Sequence, residues 1–389
     1  MTDPLRIVLL FSDTGGGHRS AAEAIAEAVE LEFPARFETR LVDVFKAYAP
    51  TPLNQSPALY PEMMRRPQIM GLAYRLSNGH QRGRVLTAVT WPYVRRAAQR
   101  LVSEMPADAF VSVHPLFIAP VLKALGPMRP PFVTVVTDIV STHALWYHHQ
   151  ADVCFVPTAA ALDRALACGL LPEQVRLVGL PVADRFCRPA GDQDALLREL
   201  DWPKDRPTVL VVGGGEGMGP LYETARALAR GGGSFALAVV AGRNETLRRR
   251  LEAAHWDVPT TIYGFERRMP EMMRAATLLV SKAGPGTITE AMNAGLPMVL
   301  YSYLPGQEEG NAAYVVETGA GLWAPGPEAT AAAVRRWLAR PADIDRASRA
   351  ARAAARPQAA REIARWLASR IEARTPALAP LAAATSPSA

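Results

Sequence analysis

Two glycine-rich turns and one cluster of hydrogen-bonding side chains hold most of the chemistry that this sequence could perform. The first turn lies in SKAGPGTITEA, Ser281 to Ala291, where the apolar run ATLLV halts and a helical pattern begins near Thr287. A helix N-terminus presents about four unpaired N–H groups and roughly half a positive charge. Gly284, Pro285 and Gly286 fix a bare turn in front of it, on which a phosphate can sit close to the backbone. Glu290 suits two roles there: a capping-box partner for Thr287, or an acceptor for both hydroxyls of a ribose. The second turn, GGGEGMGP, offers the same anion logic at Gly213–Gly219. Farther on, Gln307, Glu308, Glu309 and Asn311 crowd into five residues just past a strand end. Such a cluster suits a polyhydroxylated sugar, and it equally suits a solvated loop with a helix cap.

The second turn sits in a repeated grammar. LRIVLLFSDTGGGHRSAAEAIAEAV opens the chain as strand, glycine-rich turn and helix, and PTVLVVGGGEGMGPLYETARALA repeats it about two hundred residues later. Strands are expected in the first half at Phe37–Val42, Ala109–Val113, Phe132–Val136, Val153–Val156 and Val175–Val178. In the second half they are expected at Phe235–Val240, Thr260–Tyr263, Thr277–Val280 and Met298–Leu300, with helical segments between. This alternation predicts an α/β protein of two doubly wound parallel sheets with a cleft between them. Residues 1–188 form the expected N-terminal domain, 189–206 a Pro- and charge-rich linker and 207–356 the C-terminal domain. A helix is expected over 357–373 with Ile363, Trp366, Leu367 and Ile371 as its apolar stripe, followed by a disordered Ala/Pro/Ser tail over 374–389. Neither copy of this opening completes G-x-G-x-x-G, since Met218 and Ser20 stand where the third glycine belongs, and neither is a Walker A loop.

Composition narrows the class. The 389 residues are 49% hydrophobic and 21% charged, ordinary for a globular protein. Three cysteines, none in a C-x-x-C pair, give no zinc knuckle and no disulfide framework. No run approaches the roughly 20 apolar residues of a bilayer span, and no secretory leader is visible, so a protein of a reducing compartment is expected. Charge is uneven: Met63 to Ser103 holds eight arginines and no acid, against a net +6 for the whole chain. This segment calls for an acidic partner or surface.

Taken together, SDTGGGHRSAAEAI, VTDIVSTHALWYH, GGGEGMG and SKAGPGTITEAMNAGLPMVLYSYLPGQEEGN resemble the monogalactosyldiacylglycerol synthases and the related bacterial diacylglycerol glucosyltransferases. More distantly, they resemble the N-acetylglucosaminyltransferase that makes peptidoglycan lipid II. The resemblance covers about Leu5 to Leu338. It implies a GT-B fold and an inverting UDP-sugar transferase with diacylglycerol as acceptor at a membrane surface. Gly284, Pro285, Gly286 and Thr287 would hold the UDP diphosphate and Glu290 the ribose. Gln307 and Glu308 would bind sugar hydroxyls with Asn311 in support, while Gly215, Gly217 and Met218 would line the cleft. His18 would face the reacting centre, and His143 and Trp146 would belong to the acceptor-side loop. The residue at Glu309 differs among relatives, which leaves galactose and glucose both open as the donor hexose.

Inverting transfer needs a base on the acceptor hydroxyl and stabilisation of the departing diphosphate. His18 is the first candidate base, kept neutral by the neighbouring helix N-terminus. Asp138 is the second, or else the group that orients His18. Lys282 and Arg243 would supply positive potential without a metal. The two D-x-D triplets, at Asp192–Asp194 and Asp343–Asp345, lie away from strand ends, so no metal or other cofactor is expected. The acid-free segment, with Arg65, Arg66, Arg82, Arg84, Arg95 and Arg96 interleaved with aromatics such as Trp91, suits an anionic lipid surface. No nucleic-acid motif accompanies it. The expected location is peripheral, on the cytoplasmic face of the cell membrane. Two other readings stand beside this one: a UDP-sugar epimerase or hydrolase acting on soluble substrate, and a non-catalytic nucleotide-sugar sensor.

Overall fold

Leu5–Phe11 forms the first strand, β1, and from Ile7 onward every side chain is buried. Ile7, Leu9 and Phe11 join one core, Val8 and Leu10 the other. A strand covered on both faces reads as an unbroken apolar run and implies helices on each side of a parallel sheet. The computed structural model, which describes residues 4–14, 17–56, 58, 67–189 and 191–374, shows this arrangement twice. The strands β2 (Phe37–Asp43), β3 (Ala109–Ser112), β4 (Phe132–Val135), β5 (Val153–Val156) and β6 (Val175–Leu177) complete a six-stranded sheet ordered β2-β1-β3-β4-β5-β6. The second sheet, ordered β12-β11-β10-β7-β8-β9, contains β7 (Thr208–Val212), β8 (Ala236–Val240), β9 (Thr260–Tyr263), β10 (Leu278–Lys282), β11 (Met298–Ser302) and β12 (Gly321–Trp323). All pairings are parallel. The expected fold class, two doubly wound α/β halves, is the one observed. Only β12 escaped the sequence reading, because three residues cannot display a period.

Strand order fixes where ligands can enter. In the first sheet the chain leaves β1 for β2 on one side and returns as β3 on the other. In the second it leaves β7 for β8 and returns as β10. The loops beyond these strand ends diverge and open a crevice, the usual ligand site of open α/β sheets. His18 and the turns at Gly213–Pro220 and Gly284–Gly286 all lie at such points.

One segment differs from expectation. Within the 189–206 stretch, Gln193–Glu199 is helical, and Leu196, Leu200 and Trp202 are buried with Met272 and Met273 in the second core. The helix Ala359–Glu372 returns to the first half, where Ile363, Leu367 and Ile371 pack with Ile7, Leu9 and Ile25. Arg361 and Arg365 both pair with Glu32, at 2.6 Å each, and Arg361 also reaches Asp184 at 2.7 Å. The expected disordered tail lies, apart from Arg374, outside the described residues. Among the described residues no helix is long and apolar enough to cross a membrane.

Because Leu367 is completely buried against β1 and its covering helix, Leu367→Ala should lower stability by about 2–5 kcal/mol. A shifted denaturant midpoint with an unchanged transition slope would register it.

Candidate active site

The helix Pro285–Ala294 has Gly284, not Thr287, as its N-cap, so Glu290 stands too far along to close a capping box. Two of the first four backbone positions, Gly284 and Pro285, leave no free donor. Pro285 has no N–H, the Gly284 N–H donates to the Lys282 carbonyl at 2.8 Å, and the Ile288 N–H starts the helical ladder on the Gly284 carbonyl. Gly286 and Thr287 are left to present their N–H groups to the crevice. A Cβ built on Gly286, or on Gly17 at the start of the first-half helix, would meet no described atom within 4 Å. The other turn is packed tightly: Gly217 has φ +60°, and a Cβ there would lie 2.2 Å from the Ala241 carbonyl oxygen. Only glycine fits that bend. Gly215 sits beside Arg243, whose guanidinium pairs with Glu216 at 2.8 Å and lies over the exposed ring of Phe265, 4.3 Å from its centroid. The sequence reading passed over Phe265, an aromatic face next to the phosphate-type turn.

Glu290 is half-buried and forms no hydrogen bond among the described residues. Burial raises its carboxyl to about 7, and Arg185 draws it only partly back. A carboxylate left open in this way, one helical turn beyond the Gly286–Thr287 amides, retains both oxygens for incoming hydroxyls.

Several expected donor contacts are instead spent within the protein. Lys282 is buried in an ion pair with Glu308, so it offers no net charge. The second Glu308 oxygen accepts the Leu304 N–H at 2.9 Å, which occupies the carboxylate expected to bind sugar hydroxyls. Asn311 donates to the Ala283 carbonyl at 3.0 Å, and its side-chain oxygen is buried without a described partner. Gln307 reaches across the cleft and donates to Asp138 Oδ1 at 3.1 Å.

His18 lies at the β1/β3 switch. Its Nδ1 is 2.7 Å from the Val113 carbonyl and 2.9 Å from Thr137 Oγ1. A carbonyl can only accept, so Nδ1 carries the proton and Nε2 keeps its lone pair. The ring of His114 stands edge-on at 4.6 Å. Burial drives the His18 imidazole down to about 4, with the Val113 carbonyl pulling weakly the other way. Loss of water, not the helix field expected from the sequence, keeps it neutral. Asp138 does not orient His18, since Val113 and Thr137 hold the ring. Asp138 is itself buried, accepting from Trp146 Nε1 at 2.7 Å as well as from Gln307. Burial raises its carboxyl to about 6, those two hydrogen bonds lower it, and the Glu308 carboxylate raises it again.

On the acceptor side three assignments are corrected. Trp146 is fully buried and serves Asp138, so it cannot line a lipid path. His143 is buried too: its Nδ1 caps Leu145 N–H at 3.2 Å and its Nε2 meets Ser77 Oγ at 3.1 Å. Trp91 is half-buried beneath Lys123, 4.5 Å from its centroid. In the basic segment, helices run over Pro67–Ser77 and His80–Glu104, with Arg82, Arg84, Arg95 and Arg96 exposed. Val85, Val89 and Tyr93 recur at every fourth residue on the second helix and are all exposed. Arg82 and Arg96 flank this stripe at three-residue spacing. Arg65 and Arg66 lie outside the described residues. Among the described residues no group of three or more His, Cys, Asp or Glu could hold a metal.

The chain is similar to known proteins over both halves. Residues 18–182 match the family model of monogalactosyldiacylglycerol (MGDG) synthase, and residues 208–364 that of the glycosyltransferase family 28 C-terminal domain. The chain is 41% identical to the probable monogalactosyldiacylglycerol synthase 2, chloroplastic, of Oryza sativa subsp. japonica, over 85% of this chain and 73% of that one. It is 37% identical to monogalactosyldiacylglycerol synthase 2, chloroplastic, of Arabidopsis thaliana, over 90% and 78%. Among solved structures, MurG of Acinetobacter baumannii superposes with TM-score 0.64 at 15% identity, covering 94% of this chain and all of that one. The S. aureus MnaA–UDP structure gives 0.62 at 14%, covering 96% and 97%. These last two share the GT-B arrangement of the fold. The relatives named are chloroplastic, which overturns the expected location on the cytoplasmic face of a cell membrane.

Between about pH 4 and 6.5 the unfolded chain holds more protons on His18 than the folded one, so the His18 contribution to stability rises with pH across that window. Asp138 has the opposite sign: its raised carboxyl makes stability fall as pH rises from about 4 to about 6. NMR titration should find the His18 imidazole still neutral at pH 5, and Asp138→Asn should remove an ionisation near pH 6.

Proposed function

The chain belongs to the monogalactosyldiacylglycerol synthase family of glycosyltransferases acting on diacylglycerol, and we propose that its cleft transfers a hexose, galactose by the names of its relatives, from a UDP-sugar with inversion at the anomeric carbon. The single observation that carries this reading is a pair of prepared groups on the helices Gly17–Glu32 and Pro285–Ala294, which touch between the two halves. One is a neutral imidazole whose unprotonated Nε2 is free of the bonds that hold Nδ1. The other is a helix start with two unspent N–H groups and an unbonded carboxyl one turn on.

The diphosphate lies on the Gly286 and Thr287 amides, and Glu290 accepts the ribose hydroxyls. The base stacks beside Arg243 and Phe265. Gln307 meets the hexose, and Asn311, buried behind it, holds the Ala283 carbonyl. His18 Nε2 takes the proton of the diacylglycerol hydroxyl as its oxygen attacks the anomeric carbon opposite the leaving UDP. General base catalysis of this kind contributes about 10²–10⁴-fold. Because Glu308 already neutralises Lys282, the charge of the leaving diphosphate falls on the backbone amides and the helix they open. Asp138 is the second base candidate, and the two are separable by experiment.

Radiolabelled UDP-galactose and UDP-glucose, each offered with diacylglycerol vesicles, test the reading. Labelled monogalactosyl lipid from the first donor is expected. Label recovered only as free or epimerised sugar would reject transfer to lipid. His18→Ala should cut turnover by about 10²–10⁴-fold while UDP affinity, set in the other half, stays within a factor of two. If Asp138 is the base, Asp138→Asn abolishes turnover and His18→Ala keeps the acidic limb of the pH profile.

The exposed stripe of Val85, Val89 and Tyr93, edged by arginines, is proposed to rest on the lipid surface that supplies the acceptor. Replacing Arg82, Arg84, Arg95 and Arg96 with Gln should weaken sedimentation with anionic vesicles, most at low salt. Equal sedimentation of both proteins at low salt would reject the electrostatic contact.

A further inference from the structure

The helix Pro67–Ser77 has two faces with different occupations. Leu72 and Leu76 point outward and are exposed. Gly71, Tyr74, Arg75 and Asn78, at spacings of three and four, turn toward the cleft. There the helix touches the loop after β11, in the other half of the chain. A Cβ on Gly71 would come within 2.8 Å of Pro305 Cβ and 3.0 Å of the Pro305 carbonyl oxygen. A Cβ on Gly306 would meet the Tyr74 ring at 3.2 Å and Gly71 backbone at 3.3 Å. Arg75 pairs with Glu309 at 3.3 Å. Backbone thus lies on backbone, with no side chain on either glycine to hold the surfaces apart.

The same helix also grips the loop that carries Asp138. The Tyr74 hydroxyl donates to the Ser141 carbonyl, Ser77 meets His143, and Asn78 Oδ1 accepts the Ala144 N–H at 3.0 Å. That loop in turn grips the donor side: Gly310 N–H donates to Ser141 Oγ at 3.1 Å, and Gln307 to Asp138. A cavity of about 370 Å³ lies beside these contacts, so they are a local clasp and not the rim of a continuous core.

We propose that the helix Pro67–Ser77 is a latch whose docking on residues 304–310 sets the positions of Gln307 and Asp138, with Gly71 and Tyr74 as its positioning residues. The inference rests on the donor-site reading of Gln307 given above. Its outward leucines belong to the segment proposed to meet lipid, so engagement of the acceptor surface and alignment of the donor loop become one event. Neither Gly71 nor Tyr74 touches the reacting atoms. Their effect passes through the loops they hold.

Gly71→Val, assayed with UDP-galactose and phosphatidylcholine vesicles containing diacylglycerol, should lower kcat at least tenfold. It should leave the calorimetric Kd for UDP within a factor of two and raise amide hydrogen exchange across 304–311. Gly191→Ala, where an added Cβ meets no described atom within 4 Å, should change none of these. If Gly71→Val fails to fold, Tyr74→Ala, which adds no bulk, carries the same expectations. Wild-type kcat and wild-type exchange in whichever variant folds would overturn the latch, as would a loss of UDP affinity in step with kcat. If the wild-type chain makes no glycolipid from either donor, the donor-site reading fails instead, and the exchange comparison at 304–311 still decides whether the latch exists.

Discussion

A carboxylate buried between two halves of one chain must be satisfied by both. Asp138 accepts one hydrogen bond from Trp146, in its own half, and one from Gln307, in the other. Removing a partner from a buried charge costs more than the bond itself gains, because the orphaned group keeps its desolvation penalty. The cleft is therefore held to one geometry where Gln307 meets Asp138. The neighbouring contacts, Gly310 on Ser141 and Arg75 on Glu309, inherit their register from it. Opening the halves would give Asp138 water in place of Gln307 and would ease the burial that now raises its carboxyl. Domain separation and the protonation of this group are linked for that reason.

The donor side follows a different economy of charge. A lysine beside a phosphate-type turn invites the view that it binds the anion, yet Glu308 lies against it and both are buried. What remains for a diphosphate is a set of fixed dipoles: two unspent amides and the helix behind them. Fixed dipoles need no reorganisation as negative charge develops on a leaving group, which is the condition under which they stabilise it best. The neutral imidazole opposite follows the same rule. It is prepared by loss of water and by one carbonyl, with no counter-charge placed against it.

Sequence patterns revealed the architecture well and the connections poorly. The paired strand–glycine–helix openings located both sheets, and continuous apolar runs such as TVLVV marked strands buried on both faces. The glycines of the donor turn were legible because steric demands on a backbone appear as residue type. The helix start was misplaced at Thr287 because Pro285, favoured at a first helical position, resembles a turn residue when read alone. Partners distant in sequence could not be read at all. Nothing in QEEGN says that Glu308 belongs to Lys282 or Gln307 to Asp138, and nothing in HALWYH says that its tryptophan faces inward. Those assignments depend on which strand lies next to which, a property of the assembled sheet.

The last helix, Ala359–Glu372, covers the β1 face that the helix Gly17–Glu32 leaves incomplete. Ile7 and Leu9 thus find part of their shelter in residues made some 350 positions later. A ribosome builds the first sheet before the second and supplies this covering helix only after both. Until then the nascent first half carries an uncovered apolar strip, the kind of surface on which chaperones act and from which aggregation begins. The half that holds His18 is accordingly completed after the half that holds the Gly284–Gly286 turn.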